Sequence, residues 1–202
     1  MSNLVQIAYL ISSVLFIIGI KLLGKTKDAR KGNVISAVGM LLAIAATLVN
    51  LNLATFPEML AAMLLGGAIG LYYAKKVEMT QIPEMVALFN GFGGLASLGV
   101  ALSDHFLKTQ VQAVEIDMVN SVSIIASVLI GGVTFTGSVV AWLKLNGKMS
   151  GQPITFKGQH ALNLILLISF VVIAVFTHLN QVDPMYITLL VIVALLVGIL
   201  IV

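Results

Sequence analysis

Residues 77–97 read VEMTQIPEMVALFNGFGGLAS, a charged loop that continues as an apolar helix. Pro83 is suited to the first helical position, where its missing N–H costs nothing, and Glu84 then lies in the first turn, where the helix dipole favours a carboxylate. Asn90 follows inside the apolar run, directly before the glycine-rich segment 91–94. An amide in lipid needs a partner, and glycines let a neighbouring helix approach closely enough to supply one. This pattern is typical both of a polar path across a membrane and of an ordinary polar helix contact.

The composition indicates an all-α, polytopic membrane protein. Of the 202 residues 59% are hydrophobic and 9% are charged, and the mean hydropathy is +1.10. Soluble domains carry about 25% charged residues. The absence of cysteine excludes disulfides and Cys-based metal sites. The net charge of +3 lies in short loops and forms no basic face, so nucleic-acid binding is not indicated.

Seven apolar runs each approach the ~20 residues that cross a bilayer. They predict a bundle of seven transmembrane helices at about 4–23, 34–53, 57–74, 84–103, 119–143, 160–177 and 185–202. Three of these helices open with a proline, Pro57, Pro83 or Pro184, and Asp183 is a candidate N-cap for the last. The seventh run reaches Val202 without a closing polar residue, so we expect a fragment of a longer polypeptide.

The distribution of basic residues predicts the orientation of the chain. Ten basic residues lie in or beside alternate loops, against one, Lys108, in the others. The positive-inside rule therefore places the N-terminus outside and three basic loops in the cytoplasm. The ten are Lys21, Lys25, Lys27, Arg30, Lys31, Lys75, Lys76, Lys144, Lys148 and Lys157.

Hydroxyl and amide side chains inside the runs are the remaining polar candidates. Thr134 and Ser138 are four residues apart and share a face of the fifth helix, where they could wet a channel beside Asn90. Hydroxyls in helices also bond their own i−4 carbonyls, so simple packing is the alternative. Asn120 and Ser121 are weaker candidates for lining an exit, and Asn163 is a candidate either for an interhelical hydrogen bond or for a place at the membrane interface.

Titratable groups are expected only near the ends of the helices. We expect His105 in an outer loop, His160 at the cytoplasmic start of the sixth helix and His178 at its outer end. No charged residue lies at the centre of a run, where it would cost roughly 2.5–3.5 kcal/mol. The sequence shows no catalytic Ser/His/Asp set and no metal-ligand cluster.

Two glycine motifs resemble functional motifs but lie inside predicted membrane spans. Residues 91–96 fit the letters of a dinucleotide-binding fingerprint, which works only in a turn after a strand. Gly66 and Gly70 form a G-x-x-x-G motif on the third helix. Inside membrane spans, both motifs favour close helix packing.

Three sequence blocks carry a resemblance to a known family. They are residues 66–70 (GGAIG), residues 75–84 with the Asn90 helix behind them, and residues 133–141 (VTFTGSVVA) followed by Lys144 and Gly147–Lys148. In order and in spacing the chain resembles the membrane domain of the beta subunit of proton-translocating nicotinamide nucleotide (NAD(P)) transhydrogenase. The resemblance spans the whole chain.

The resemblance implies a Re/Si-specific enzyme complex that couples hydride transfer from NADH to NADP⁺ to proton movement across a bacterial inner membrane. The family's domain has nine helices followed by an NADP(H)-binding domain. Residues 1–202 correspond to the first seven helices, a transmembrane proton-channel domain. No cofactor or metal is therefore expected on this chain, and it should not transfer hydride alone. The implied partners are lipid, the alpha-type membrane subunit, the NADP(H)- and NAD(H)-binding domains, and a second copy of the whole assembly.

The resemblance also assigns roles to residues. Asn90, Ser138 and Thr134 would line the proton channel, and Glu84 would couple it to the nucleotide domains at the cytoplasmic face. Familiar members carry a histidine at the position of Asn90, whereas asparagine takes up no proton in this pH range. Water ordered by Asn90, or a histidine of the alpha-type membrane subunit, would then carry the proton. A secondary transporter of a small solute or ion and a non-catalytic scaffold remain alternatives.

Overall fold

The computed structural model describes residues 3–50, 57–152 and 155–202. Within these ranges the chain forms seven α-helices, each long and apolar enough to cross a membrane, and no strand. The all-α, multi-pass prediction is therefore confirmed. The helices are α1 (Asn3–Leu23), α2 (Ala29–Asn50), α3 (Pro57–Lys76), α4 (Ile82–Phe106), α5 (Met118–Leu145), α6 (Gln159–Leu179) and α7 (Pro184–Ile201).

The chain divides into two compact units, unit 1 (Met1–Lys76) and unit 2 (Val77–Val202). In unit 1, α1 and α2 pack along a seam of mostly small residues. The buried positions recur every seven residues: Val5, Ser12 and Gly19 on α1, and Gly32, Gly39 and Ala46 on α2. A seven-residue repeat is the pattern of helices that wind around each other with a left-handed twist.

The α1–α2 seam brings the two backbones into direct contact. A Cβ built on Gly19 would lie 2.9 Å from the carbonyl oxygen of Gly32, and one built on Gly32 would lie 2.7 Å from that of Gly19. The hydroxyls of Tyr9 and Thr47 add a hydrogen bond of 2.8 Å across the pair. In lipid, where hydrophobic burial gives no driving force, such close backbone packing is what holds helices together.

The third helix of unit 1, α3, packs against neither α1 nor α2 in the described part of that unit. None of its residues is buried, and no residue described in unit 1 lies within 4 Å of a Cβ built on Gly66 or Gly70. The close helix packing that the G-x-x-x-G motif predicts is therefore not made inside unit 1.

In unit 2 the helix α5 is central. The residue pairs at its glycine contacts show that it packs antiparallel to α4 and parallel to α7, and α6 packs mainly on α7. Buried apolar residues of α4, α5, α6 and α7 form one core, which includes Leu98, Val128, Phe170 and Leu190. We name the two ends by their charges: the acidic end holds Asp104, Glu115, Asp117 and Asp183, and the basic end holds Lys144, Lys148 and Lys157.

The α5–α7 contact depends on glycine and threonine. A Cβ built on Gly198 would meet the carbonyl oxygen of Val133 at 2.6 Å, so the two backbones touch. The hydroxyl of Thr136 donates to the carbonyl of Leu195 on α7 at 2.8 Å and also lies 3.1 Å from the carbonyl of Gly132 on its own helix. This hydroxyl ties α5 to α7 without a charged group.

Two side chains organise the acidic end of unit 2. The amide of Gln181 accepts from Ile116 N at 2.7 Å and donates to Ile116 O at 2.8 Å, so it joins the loop before α5 to the loop before α7. Asp183 caps α7 by accepting from Met185 N at 2.9 Å, and Pro184 is the first residue of that helix, as predicted. Pro83 lies one position later than expected, because α4 begins at Ile82.

Two helices extend furthest beyond the apolar runs that predict them. α2 begins at Ala29, five residues before its predicted start, because Arg30 and Lys31 occupy exposed positions of its first turns. Residues 51–53 of the same prediction lie outside the described residues. α4 continues to Phe106 and into a π-helical turn, Leu107–Val111, because the ion pair between Asp104 and Lys108 at 2.8 Å satisfies both charges on the helix surface.

Candidate functional site

The polar residues of the predicted channel lie along the α4–α5 contact. The buried positions of α4 are Gly91, Gly94, Leu98, Ala101 and His105, spaced alternately by three and four residues, which places them on one face. A Cβ built on Gly94 would lie 2.8 Å from the carbonyl oxygen of Gly131, and one built on Gly131 would lie 2.7 Å from that of Gly94. Gly91 and Gly94 thus serve helix packing, as their place inside a span predicts, whereas a Cβ built on Gly93 meets no neighbouring helix within 4 Å among the described residues.

Asn90 and Ser138 meet one turn from this glycine contact. The Nδ2 of Asn90 donates to the Oγ of Ser138 at 2.8 Å. Gly91 leaves space for this approach, because a Cβ on it would lie 3.1 Å from that of Ser138. Ser138 is buried and Asn90 is exposed on the surface of this chain. One end of the amide is therefore fixed to α5, while its carbonyl oxygen can accept from water or from a neighbouring helix.

Thr134 lies one turn from Ser138 along α5, on the side towards Gly94. Its Cβ is 2.8 Å from the position that a Cβ on Gly94 would take, and the residue is half-buried. The structure therefore brings all three predicted channel residues to the same helix contact, with a direct hydrogen bond between two of them.

Glu84 lies at the basic end of the same helix pair. Its Oε2 accepts from the Nδ2 of Asn146 at 2.8 Å, so the start of α4 is joined to the end of α5. Sequence analysis missed Asn146, although Asn146 and Gly147 form a recognisable helix end: Asn146 is the C-cap and Gly147 has a φ of +70°. Glu84 lies six residues before Asn90, roughly 9 Å along the helix axis.

The expectation that His105 lies in an outer loop is wrong. His105 belongs to the last turn of α4, is 3% exposed, and its Nε2 has no hydrogen-bond partner among the described residues. Thr109 donates its hydroxyl to the carbonyl of His105 at 2.8 Å, which continues the helical path. The spacing 91, 94, 98, 101, 105 was the available signal, because it places residue 105 on the buried face.

The other polar candidates form no side-chain hydrogen bond to another helix among the described residues. Asn120 donates to Asp117 at the start of α5, which is a local contact, and Ser121 is buried. The Oδ1 of Asn163 on α6 is buried without a hydrogen-bond partner in the described part of the chain. Across residues 3–50, 57–152 and 155–202, no three His, Cys, Asp or Glu side chains are grouped so that they could hold a metal ion.

Seven apolar helices and a hydrogen-bonded amide between two glycine-packed helices define a multi-pass membrane protein with an interhelical polar site. Comparison with known proteins gives the family. The sequence matches the NAD(P) transhydrogenase beta subunit family over residues 5–202, and the chain belongs to that family.

Two curated relatives fit this assignment. Both are NAD(P) transhydrogenase subunit beta of Rhodospirillum rubrum, one of them from a named strain. Each is 36% identical to this chain over 162 residues, which cover 78% of the chain. The chain spans about a third (35%) of the length of these curated relatives.

Proposed function

We propose that this chain is the proton-conducting membrane part of a proton-translocating NAD(P) transhydrogenase, in which hydride passes from NADH to NADP⁺ on nucleotide-binding domains elsewhere in the complex. The observation that carries the proposal is the Asn90–Ser138 hydrogen bond, which places a polar pair inside a membrane-spanning contact. Family membership supplies the activity to which proton movement would be coupled.

Asn90 would position water and would not itself carry the proton. Its amide is neutral at physiological pH, and its Nδ2 is already committed to Ser138. The free Oδ1 can accept from a water molecule, and Thr134 lies near enough along α5 to contact the same water chain. We infer that the titrating group is a histidine of the alpha-type membrane subunit, placed against the exposed side of Asn90.

Coupling would run through the basic end of unit 2. One proton crossing ~100 mV releases about 2.3 kcal/mol, and coupling between two sites typically amounts to ~1–3 kcal/mol. Glu84 and its partner Asn146 connect α4 to α5 at that end, within reach of soluble domains in the cytoplasm. A small shift of α4 relative to α5 would change this contact and so change the affinity of the nucleotide domains for NADP(H).

The proposal includes the membrane in which the chain lies and the orientation of its ends. The complex would lie in a bacterial inner membrane with the basic end of unit 2 in the cytoplasm and the N-terminus outside. Two copies of the whole assembly would form the working dimer.

Replacing Asn90 by leucine tests the proposal. Asn90→Leu replaces the amide by an apolar side chain with the same branching, which can neither orient water nor bond Ser138. While the water bonded to Asn90 carries the excess proton it is charged, and a hydrogen bond to a charged group contributes ~1.5–3 kcal/mol, so we expect proton translocation by the complete complex in proteoliposomes to slow by roughly tenfold to a hundredfold. The measurement is acidification of the vesicle interior during transhydrogenation.

Asn163→Leu provides the matched control, because it makes the same substitution on α6, away from the α4–α5 contact. It should leave translocation within about twofold of the unmodified complex, a difference near 0.4 kcal/mol. Unchanged pumping by Asn90→Leu, in a complex that assembles normally, would remove the proposed role of this contact.

The titrating partner has its own test. Substituting each histidine of the alpha-type membrane subunit by glutamine should identify one position at which translocation is lost while the subunits still assemble. Translocation that survives substitution of all of them would contradict the assignment of the proton carrier to that subunit.

A further inference from the structure

The α4–α5 pair carries a polar line that extends well beyond the Asn90–Ser138 contact. Asn90, Ser97 and Asp104 recur every seven residues on α4, and Thr134, Ser127 and Asn120 do so on α5. A seven-residue step is two helical turns, so each set lies on one face of its helix. Because α4 and α5 run antiparallel, the sets pair in order from the Asn90 level to the acidic end.

A groove follows the outer part of this line. It has a volume of about 520 Å³ and opens to the surface of the chain. Its polar lining consists of Ser97, Asp104, Asn120, Ser123 and Ser127. Polar groups from both helices therefore converge on one cavity.

The groove reaches deep into the membrane-spanning part of the pair. Ser97 lies nine residues before the last residue of α4, Phe106, which is roughly 14 Å along the axis, about half of a ~30 Å hydrocarbon core. Asn90 is seven residues further, roughly 10 Å away. The groove thus leads from the acidic end to within two turns of the Asn90–Ser138 contact.

The serine hydroxyls in this groove differ in whether they have a hydrogen-bond partner. Ser123 donates to the carbonyl of Val119 at 2.8 Å, which is the common internal bond of a helical serine. No side-chain hydrogen bond within the described ranges involves Ser97 or Ser127. At its mouth, Asp104 is paired with Lys108 at 2.8 Å, and Asn120 bonds Asp117. An unbonded hydroxyl facing hydrocarbon is unfavourable, so water is the natural partner of the two deep serines.

We infer that this groove is the acidic-end half of the proton path, with Ser97 and Ser127 as its deepest water-binding groups before Asn90. The inference rests on the proposed function and adds the route by which water and protons reach the central contact. Asp104 and Asn120 form the mouth.

Cysteine labelling tests the groove independently of proton pumping. The chain has no cysteine, so single cysteines can be placed without removing any from it. In the complete complex, freed of other cysteines, Ser97→Cys and Ser127→Cys are treated with a membrane-impermeant maleimide from the acidic-end side. Leu95→Cys is the control, because Leu95 lies at nearly the same depth on α4, is 41% exposed, and does not line the groove.

Only a hydrated thiol ionises readily, so we expect both serine positions to react at least about tenfold faster than Leu95→Cys. Ser97→Leu should also slow proton translocation by about tenfold or more, whereas Ser103→Leu, a serine of α4 outside the groove, should not. Equal, slow labelling at all three positions would overturn the inference, since the groove would then be filled by lipid or dry protein.

The two proposals fail in different ways. Fast labelling of Ser97→Cys together with normal pumping by Asn90→Leu would leave a hydrated groove and refute the proton-conducting role of the contact. Slow labelling together with pumping lost in Asn90→Leu would refute the groove and leave the central contact in place.

Discussion

Replacing Gly94 by alanine should force α4 and α5 apart. The new Cβ would lie 2.8 Å from three atoms of α5: the carbonyl oxygen of Gly131, the amide nitrogen of Phe135 and the Cβ of Thr134. Ordinary contact begins at 3.4 Å, a shortfall of about 0.6 Å. Two of the three atoms belong to the backbone, so rotation of a side chain cannot relieve the clash. Overpacking of this kind costs roughly 1–3 kcal/mol.

The same displacement has a functional effect one turn away. The Asn90–Ser138 bond is 2.8 Å long, and a parallel separation of the helices would lengthen it to about 3.4 Å, beyond the ~3.2 Å limit of a good hydrogen bond. We therefore expect Gly94→Ala to lower both the stability of unit 2 and the rate of proton translocation. The stability is measured by SDS unfolding in mixed micelles, followed by circular dichroism. The rate of proton translocation is measured in the vesicle assay.

Gly93→Ala is the matched control. Among the described residues, no atom outside the local backbone of α4 lies within 4 Å of a Cβ built on Gly93, and alanine is favoured over glycine in helices by up to ~1 kcal/mol. This variant should unfold at the same or a higher SDS fraction than the unmodified protein. If Gly94→Ala unfolds at the same SDS fraction as Gly93→Ala, the backbones of α4 and α5 are not in contact and the expected clash does not exist.

Two further substitutions test contacts within unit 2. Thr136→Val removes the hydroxyl that bonds Leu195 and should destabilise the α5–α7 contact by ~0.6 kcal/mol in SDS unfolding, whereas Thr188→Val, which loses only a bond to its own helix at Pro184, should change less. Gln181→Leu leaves both backbone groups of the buried Ile116 unpaired, at a cost of ~1–3 kcal/mol, and should accelerate hydrogen exchange at the Ile116 amide. An Ile116 exchange rate unchanged from that of the unmodified chain would contradict this reading of the acidic end.

Hydropathy predicts the helices well because lipid leaves few alternatives to a helix for an apolar run of about 20 residues. It predicts their ends poorly, because charged residues on the exposed face of a terminal turn lower the local hydropathy without ending the helix. Arg30 and Lys31 in α2 show this at one end of a helix, and Asp104 and Lys108 show it beyond the predicted end of α4.

The candidate site could be predicted in part. Asn90 is recognisable because an amide in a membrane span must find a partner, and Ser138 and Thr134 share the face of α5 that meets it. The partner itself could not be derived from spacing within one helix, because it depends on how α4 and α5 are aligned. The burial of His105 depends on the same alignment, and so does the Glu84–Asn146 contact.

The consecutive glycines Gly131 and Gly132 have a mechanical consequence. Gly131 contacts the backbone of α4 at Gly94, and Gly132 contacts Ala194 of α7. Two neighbouring helices therefore pack closely against α5 at the same level. Turning α5 about its long axis would drive Ile130 or Val133 into a neighbouring main chain. We therefore expect the rotation of α5 about its own axis to stay fixed, so that α4 and α7 can move relative to α5 only by sliding along it.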